Sequence, residues 1–136
     1  AIFTIVPPSY PMTPCDAIFV KMLTADTVPI IATMTETVPP TRNLVSGWNF
    51  IGSAFINGTG EWEVNKALIS LYYAEGVLMP WGYTQVISPA YNQPYWVYTR
   101  DVGVQYMLTG RGYWVAMENA DQYYGQTLTP WLYPNP

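Results

Sequence analysis

Two segments in which glycine leads into alternating large apolar residues constrain the fold of this chain most strongly. The first is Gly47–Gly52 (GWNFIG) and the second is Gly110–Met117 (GRGYWVAM). A period of two is typical of β-strands, and glycine is common in the turns that lead into them. Each segment therefore predicts a strand. We expect the aromatic side chains of both strands to lie in the core: Trp48, Phe50, Tyr113 and Trp114.

The period changes between these two strands. Apolar residues recur there at helical spacing: Val64, Leu68, Leu71 and Tyr72. Such spacing places them on one face of a helix. Glu61 and Glu63 lie near the predicted N-terminus, where the helix dipole favours negative charge, and Gly76 is a natural stop. The pattern predicts one helix at about residues 62–74, with Leu68 and Leu71 packed into the core.

Most other segments favour strands. They are residues 1–6, 17–23, 28–34, 77–87, 95–100 and 123–132, in which β-branched and aromatic residues predominate. The expected fold class is therefore mainly β: a small antiparallel barrel or sandwich with a single helix. Residues 1–45 are rich in Pro and Thr, unlike residues 46–136. We expect the first part to be a strand-rich extension that serves as an assembly arm, and the second to be the β-module with its aromatic tail.

The low charge content indicates which partners the chain can have. Charged residues make up 10% of it, against roughly 25% in soluble domains. Five basic and nine acidic residues give a net charge of −4, and Lys and Arg form no run. Nucleic acids and anionic membrane surfaces require basic patches, so neither is expected as a partner. Direct membrane insertion is not expected either, because no apolar run reaches the length of a spanning helix. A surface this poor in charge is weakly protected against self-association, which favours copies of the same chain as partners.

The sequence shows no combination of residues that is typical of a catalytic site. The chain has no histidine, which excludes Ser/His/Asp and Cys/His nucleophiles and the common zinc sites. Glu61 and Glu63 are the candidates for the carboxylate pair of a glycosidase. Side chains two residues apart near the start of a helix point in different directions, however. A favourable interaction with the helix dipole explains these two residues better. Glu118, Asn119 and Asp121 offer oxygens for calcium, although a solvated loop explains them as well. We expect no enzyme activity, no cofactor and no metal site, with calcium dependence left open.

Three features of the sequence bear on the cellular location of the protein: its first residue, its single cysteine and a glycosylation sequon. The first residue is Ala rather than Met, as signal-peptide cleavage would leave it, so we expect an extracellular protein at the cell surface. Cys15 is the single cysteine and cannot form an internal disulfide; it is either an intermolecular bridge or an inert buried thiol. Asn57-Gly58-Thr59 is a glycosylation sequon within a glycine-rich turn.

The aromatic residues allow two functions. Exposed rings can stack on sugars, and the candidate platform consists of Trp81, Tyr83, Tyr91, Tyr95, Trp96 and Tyr98. Rings in strands more often fill a core or a subunit interface, because their burial contributes much stability. Apart from Lys21, the N-terminal strands lack the lysines that commonly block edge pairing, and the tail is strongly apolar. The expected assembly interface is Ile2, Phe3, Ile5, Tyr123, Tyr124, Trp131 and Tyr133.

The order of these motifs resembles a known family. Gly47–Gly52, a helix, Trp81–Tyr83, Trp96–Tyr98 and Gly110–Val115 are similar to a β-module of archaeal and bacterial cell-surface proteins, including S-layer-like proteins. Its members open with a GWN strand and close with a PG-(K/R)-GYW strand. The likeness covers about residues 46–120, and it departs at the closing turn, where this chain has Thr109 instead of the frequent proline.

The resemblance implies a structural role in an extracellular envelope. At the level of class, the chain is also similar to the tubular sheath of methanogenic archaea, a β-rich polymer of low charge. The hypothesis is a structural subunit of a sheath, S-layer or filament that assembles with itself by edge-strand pairing and aromatic burial, with cell-wall glycans as further partners. The alternative is a carbohydrate-binding or adhesive module of a larger surface protein. Ordered, concentration-dependent polymers would distinguish the first from the second.

Overall fold

The computed structural model describes residues 5–13, 15–27, 40–52, 61–71, 73–74, 77–78, 82–89 and 95–125. The chain is mainly β with antiparallel sheets, as predicted, and its described part contains one α-helix. The strands are β1 (Thr41–Leu44), β2 (Gly47–Gly52), β3 (Glu61–Glu63), β4 (Tyr73–Ala74), β5 (Val77–Leu78), β6 (Tyr83–Ser88), β7 (Trp96–Thr99), β8 (Tyr106–Leu108), β9 (Gly112–Met117) and β10 (Asp121–Tyr124).

Four strands form a central antiparallel sheet in the order β2-β9-β6-β7. The two glycine-entered strands of the sequence are neighbours in it, since Gly47 pairs with Met117 and Gly52 with Gly112. Three two-stranded pairs, β1-β10, β3-β8 and β4-β5, complete the described sheets. Within the described part, the central sheet is therefore open and has two edges, β2 and β7.

The β1-β10 pair continues the β2-β9 pair around a corner. Gly47 begins β2 with φ +90, a left-handed conformation that favours glycine. The Asn49 side chain holds the corner, because its amide donates 2.8 Å to the Val45 oxygen while its own oxygen accepts 3.0 Å from the Val45 nitrogen. The bend brings Leu44 and Tyr123 of the small pair into the same core cluster as the central sheet.

The helix is shorter than predicted. It covers Val64–Ala67 and is followed by a 3₁₀ turn at Ile69–Leu71. Glu61–Glu63, expected in or near the first helical turn, form β3 and pair with β8. The Val64 nitrogen bonds the Gln105 oxygen at 2.9 Å, so tertiary pairing replaces the first helical turn. Leu68 and Leu71 are fully buried in the core cluster.

The N-terminal region differs from the strands expected there. Residues 17–23 contain no strand; the ladder contact in this part is an isolated bridge between Asp16 and Ile51. Residues 5 and 6 are not in a strand either, and residues 1–4 and 28–34 lie outside the described part. Cys15 belongs to the core cluster, so part of the predicted extension packs into the module. The final strand is predicted at residues 123–132, but β10 covers Asp121–Tyr124, so the two overlap only at Tyr123 and Tyr124; residues 126–136 lie outside the described part.

The two faces of the central sheet are assigned by the strand register. Ile51 pairs with Tyr113 and is fully buried, so their face is the inner one. Trp48 pairs with Ala116 and Phe50 pairs with Trp114 on the opposite face, and Trp48 is 47% exposed. The prediction that Trp48 lies in the core is therefore wrong. Both faces of β2 carry large apolar residues, so alternation alone does not show which one is buried. We name the opposite side the outer face; its members are Trp48, Phe50, Gln85, Ile87, Val97, Thr99, Trp114 and Ala116.

Candidate assembly surface

Aromatic rings stack on the outer face. The ring centroids of Phe50 and Trp114 are 4.9 Å apart, with planes inclined by 36°. Phe19, from the irregular N-terminal region, lies nearly parallel on Phe50 at 4.4 Å and 6.4 Å from Trp114. Phe50 and Trp114, both predicted in the core, are partly buried in this stack and lie outside the main core cluster. The sequence signal for Phe19 is its place in the apolar segment 17–23, which the pattern predicts to be a strand and which the structure shows without one.

Phe50 and Trp114 of this stack also belong to an apolar row that crosses all four strands. Phe50 pairs with Trp114, Trp114 with Ile87, and Ile87 with Val97. Gly112 has no side chain, and a Cβ there would collide with the Phe50 ring, which lies close over it. Val97, at the β7 end of the row, is 43% exposed. The outer face thus carries an apolar surface that is covered at Phe50 by Phe19 and exposed at Trp48 and Val97.

The β2 edge of the central sheet is capped by charged residues. The Gly52 nitrogen donates 2.8 Å to the Cys15 oxygen. Nη1 of Arg42 donates to the oxygens of Phe50 at 2.8 Å and of Cys15 at 2.9 Å, and lies 3.5 Å from the Asp16 carboxylate. Gly52 is required at this approach, because a Cβ would collide with the Asp16 backbone oxygen. Charged side chains of this kind protect sheet edges from pairing with another chain.

Asp16 is held in its charged form at this cap. Its partial burial raises the pKa, but hydrogen bonds from the Thr13 hydroxyl (2.7 Å) and nitrogen (2.9 Å), together with the Arg42 charge, outweigh burial. The net effect is a pKa below the ordinary range of a carboxyl group. The cap therefore keeps its ion pair at neutral pH.

The β7 edge has a different character. The Arg100 nitrogen donates 3.0 Å to the Thr84 oxygen, and Tyr98 pairs with Val86. Because backbone groups alternate in direction along an antiparallel strand, Val97 directs its N–H and C=O away from β6. Thr99 also faces outward, and its oxygen accepts 3.0 Å from the Val102 nitrogen in a turn. Within the described part no strand covers the rest of this edge, and residues 95–99 carry no charge.

Two of the predicted interface residues differ in environment. Tyr123 is 1% exposed and lies in the core cluster, so its assignment to the assembly interface is wrong. Tyr124, beside it on β10, is 38% exposed. The β1-β10 pairing is the reason, since alternate residues of β10 face the core and the solvent. Ile5 is exposed. Ile2, Phe3, Trp131, Tyr133 and the sequon residue Asn57 lie outside the described residues.

Cys15 is buried rather than presented at the surface. It is 4% exposed, and burial raises the pKa of its thiol to about 11. The sulfur lies 3.8 Å from the Pro40 oxygen. The sequence allowed either an intermolecular disulfide or an inert buried thiol at Cys15. Burial favours the inert thiol, because an intermolecular disulfide could form only after the segment around Cys15 had opened.

The four described residues of the predicted sugar-binding platform do not share one exposed surface. Tyr83 and Tyr98 are buried in the core. Trp96 packs against that core and stacks on Tyr113 with centroids 5.6 Å apart, while Tyr95 is exposed. Trp81 and Tyr91 lie outside the described residues. The inward direction of Tyr98 and Trp96 follows from β6-β7 pairing, which the sequence did not reveal.

The described segments bring together no group of three Cys, Asp or Glu side chains able to hold a metal ion. Glu118 and Asn119 are exposed, and the Asp121 carboxylate accepts a 2.7 Å bond from the Gln122 nitrogen. No helix in the described segments is long and apolar enough to cross a membrane.

Comparisons with protein-family models, with curated proteins and with solved structures give no match for this chain. The resemblance to cell-surface β-modules, carried by the Gly47–Gly52 and Gly110–Val115 motifs, therefore stays a prediction.

Proposed function

We propose that this chain is a structural subunit that assembles with copies of itself in an extracellular cell-envelope polymer, such as a sheath, an S-layer or a filament. The observation that carries the proposal is the difference between the two edges of the central sheet. Arg42 and Asp16 cap β2, whereas β7 is the last strand of the sheet within the described part of the chain, and residues 95–99 carry no charge. An uncharged edge strand offers its backbone groups to another strand, and this favours self-association.

The outer face supports the same proposal. Its apolar row reaches Val97 on the edge strand, and Trp48 is half exposed at its other side. Apolar surface next to an open strand edge allows one neighbour to pair with the backbone and a second to bury the face. Low overall charge offers little repulsion against such packing. The location at the cell surface rests on the family resemblance.

Sedimentation velocity over a concentration series, followed by electron microscopy, tests this function. We expect the unmodified chain to form ordered oligomers or polymers as its concentration rises. Val97→Lys places a charge on the β7 edge and should abolish assembly with the circular dichroism spectrum unchanged. Val104→Lys is the matched control, because Val104 is exposed outside the sheet and should assemble normally. A monomer at every concentration would reject the proposal.

The exposed indole of Trp48 supports one alternative, a carbohydrate-binding or adhesive module. A half-exposed tryptophan beside Phe50 and Trp114 is a surface on which a sugar ring can stack. This alternative predicts a monomer that binds a cell-wall glycan and loses that binding on Trp48→Ala. Retention on an immobilised glycan panel, with Tyr106→Ala as the exposed aromatic control, distinguishes the two functions.

A further inference from the structure

We infer that the partner at the β7 edge is β7 of a second copy, paired antiparallel about a two-fold axis with Tyr95 of one copy opposite Val97 of the other. This inference rests on the proposed self-assembly. It names the strand, the direction and the register of the contact.

The backbone groups at this edge determine which residues can bond. The Arg100 N–H bonds the Thr84 oxygen, and Trp96 and Tyr98 pair with β6, so the N–H and C=O groups of Val97 and the C=O of Tyr95 lie on the side away from β6. In the inferred contact Tyr95, which directly precedes β7, extends the strand by one residue, and its N–H then points to the same side. Thr99 lies on that side too, but the turn to Val102 already engages it through a bridge and a 3.0 Å hydrogen bond. Tyr95 and Val97 are therefore the described residues with backbone groups available for an added strand.

The register follows from this limit. With Tyr95 opposite Val97, both residues of each copy exchange N–H···O bonds with the other copy. A register with Val97 opposite itself would place Tyr95 against Thr99, whose edge the turn occupies. The register with Tyr95 opposite Val97 pairs the backbone N–H and C=O groups of both residues on both copies. It is favoured because unpaired backbone groups at a contact are costly.

A second copy of β7 fits better than the β2 edge of a neighbour. At β2, Arg42 occupies the Phe50 oxygen and the Cys15 oxygen occupies the Gly52 nitrogen. At β7, residues 95–99 bring no charge to either side of the contact, so two copies meet without repulsion. A two-fold contact of this kind is self-complementary and closes as a dimer. Two four-stranded sheets then become one continuous sheet, and growth beyond the dimer is left to the outer face.

Cysteine cross-linking tests the register in the full chain carrying Cys15→Ser. One preparation carries Tyr95→Cys and another carries Val97→Cys, and the two are mixed before mild oxidation. Cα atoms of a hydrogen-bonded antiparallel pair lie about 5.5 Å apart, within the roughly 4.4–6.8 Å that a disulfide spans. Identical positions in the proposed register are diagonal neighbours at about 7–8 Å. We therefore expect covalent dimers in the mixture, at least tenfold more than in either preparation alone, identified by the cross-linked peptide in mass spectrometry.

Other outcomes separate this inference from the proposed function. Efficient dimers of Val97→Cys alone would overturn the register, and polymers without any cross-link would overturn the β7 contact while leaving self-assembly in place. If neither dimers nor polymers form and the Cys15→Ser parent is also monomeric, both the β7 contact and the proposed self-assembly are overturned. Val104→Cys mixed with Tyr95→Cys is the control for random collision, because Val104 is exposed and belongs to no strand.

Discussion

Nη1 of Arg42 donates a 2.8 Å hydrogen bond to the backbone oxygen of Phe50, which places a charged side chain across the outer edge of β2. The same nitrogen bonds the Cys15 oxygen and lies 3.5 Å from the Asp16 carboxylate. This edge is therefore closed to a further strand, while the β7 edge ends in an uncharged segment. The proposed assembly rests on this difference between the two edges.

Removing the Arg42 cap should destabilise the chain and open β2. Arg42→Met keeps much of the side-chain length but leaves the Phe50 and Cys15 oxygens without this donor. We expect the free energy of unfolding to fall by about 1–3 kcal/mol, measured by urea denaturation. Aggregation should also become faster, because the open edge gains a pairing site. Lys66→Met is the control, since Lys66 is exposed and its 3.1 Å pair with Glu63 is a surface ion pair; an equal loss there would contradict a specific cap.

Adjacent tyrosines on β10 should respond differently to truncation. Tyr123→Ala removes a ring from the core and should cost about 3–5 kcal/mol of unfolding free energy, as for other large aromatic side chains. Tyr124→Ala removes an exposed ring and should cost less than about 1 kcal/mol. Urea denaturation of both variants measures the difference. Similar losses would show that β10 does not hold the β1-β10 register found here.

Proline should separate assembly from folding on β7. Val97→Pro removes an N–H that faces away from β6, a position where an edge strand tolerates proline. We expect the variant to keep the native circular dichroism spectrum and to lose the β7-paired dimer in sedimentation velocity, and with it the dimer from which ordered polymers grow. Tyr98→Pro removes an N–H directed at β6 and should unfold the chain or lower its stability by about 3 kcal/mol or more. A folded Val97→Pro chain that still polymerises would exclude β7 pairing.

The buried Cys15 thiol should make stability fall at alkaline pH. Burial raises its pKa from 9.0 to about 11, so the folded state retains the proton where the unfolded chain has lost it. The stabilisation is complete below pH 9 and is lost as pH rises towards 11, by up to about 2–3 kcal/mol. Cys15→Ala should lack this component, while Tyr113, whose pKa burial also raises, titrates in both proteins. The difference between the two stability profiles isolates Cys15; parallel profiles would contradict its burial.

The local pattern of the sequence determined the strands that are entered through a glycine. Residues at a period of two identified β2 and β9 and indicated β6 and β7. The buried positions of Leu68, Leu71 and Tyr113 also followed from apolar spacing. These features depend on neighbouring residues, which is why one sequence suffices to predict them.

Only the tertiary structure decided which apolar residues are inside. Ile51 and Trp48 lie on opposite faces of β2, and pairing with β9 and the position of the core selected Ile51. Pairing with β8 made Glu61–Glu63 a strand instead of a helix start, and pairing with β1 turned Tyr123 inward. The Arg42 cap joins residues far apart in the chain. Such outcomes depend on contacts between distant segments, whose free energies outweigh local propensity and leave no periodic mark in the sequence.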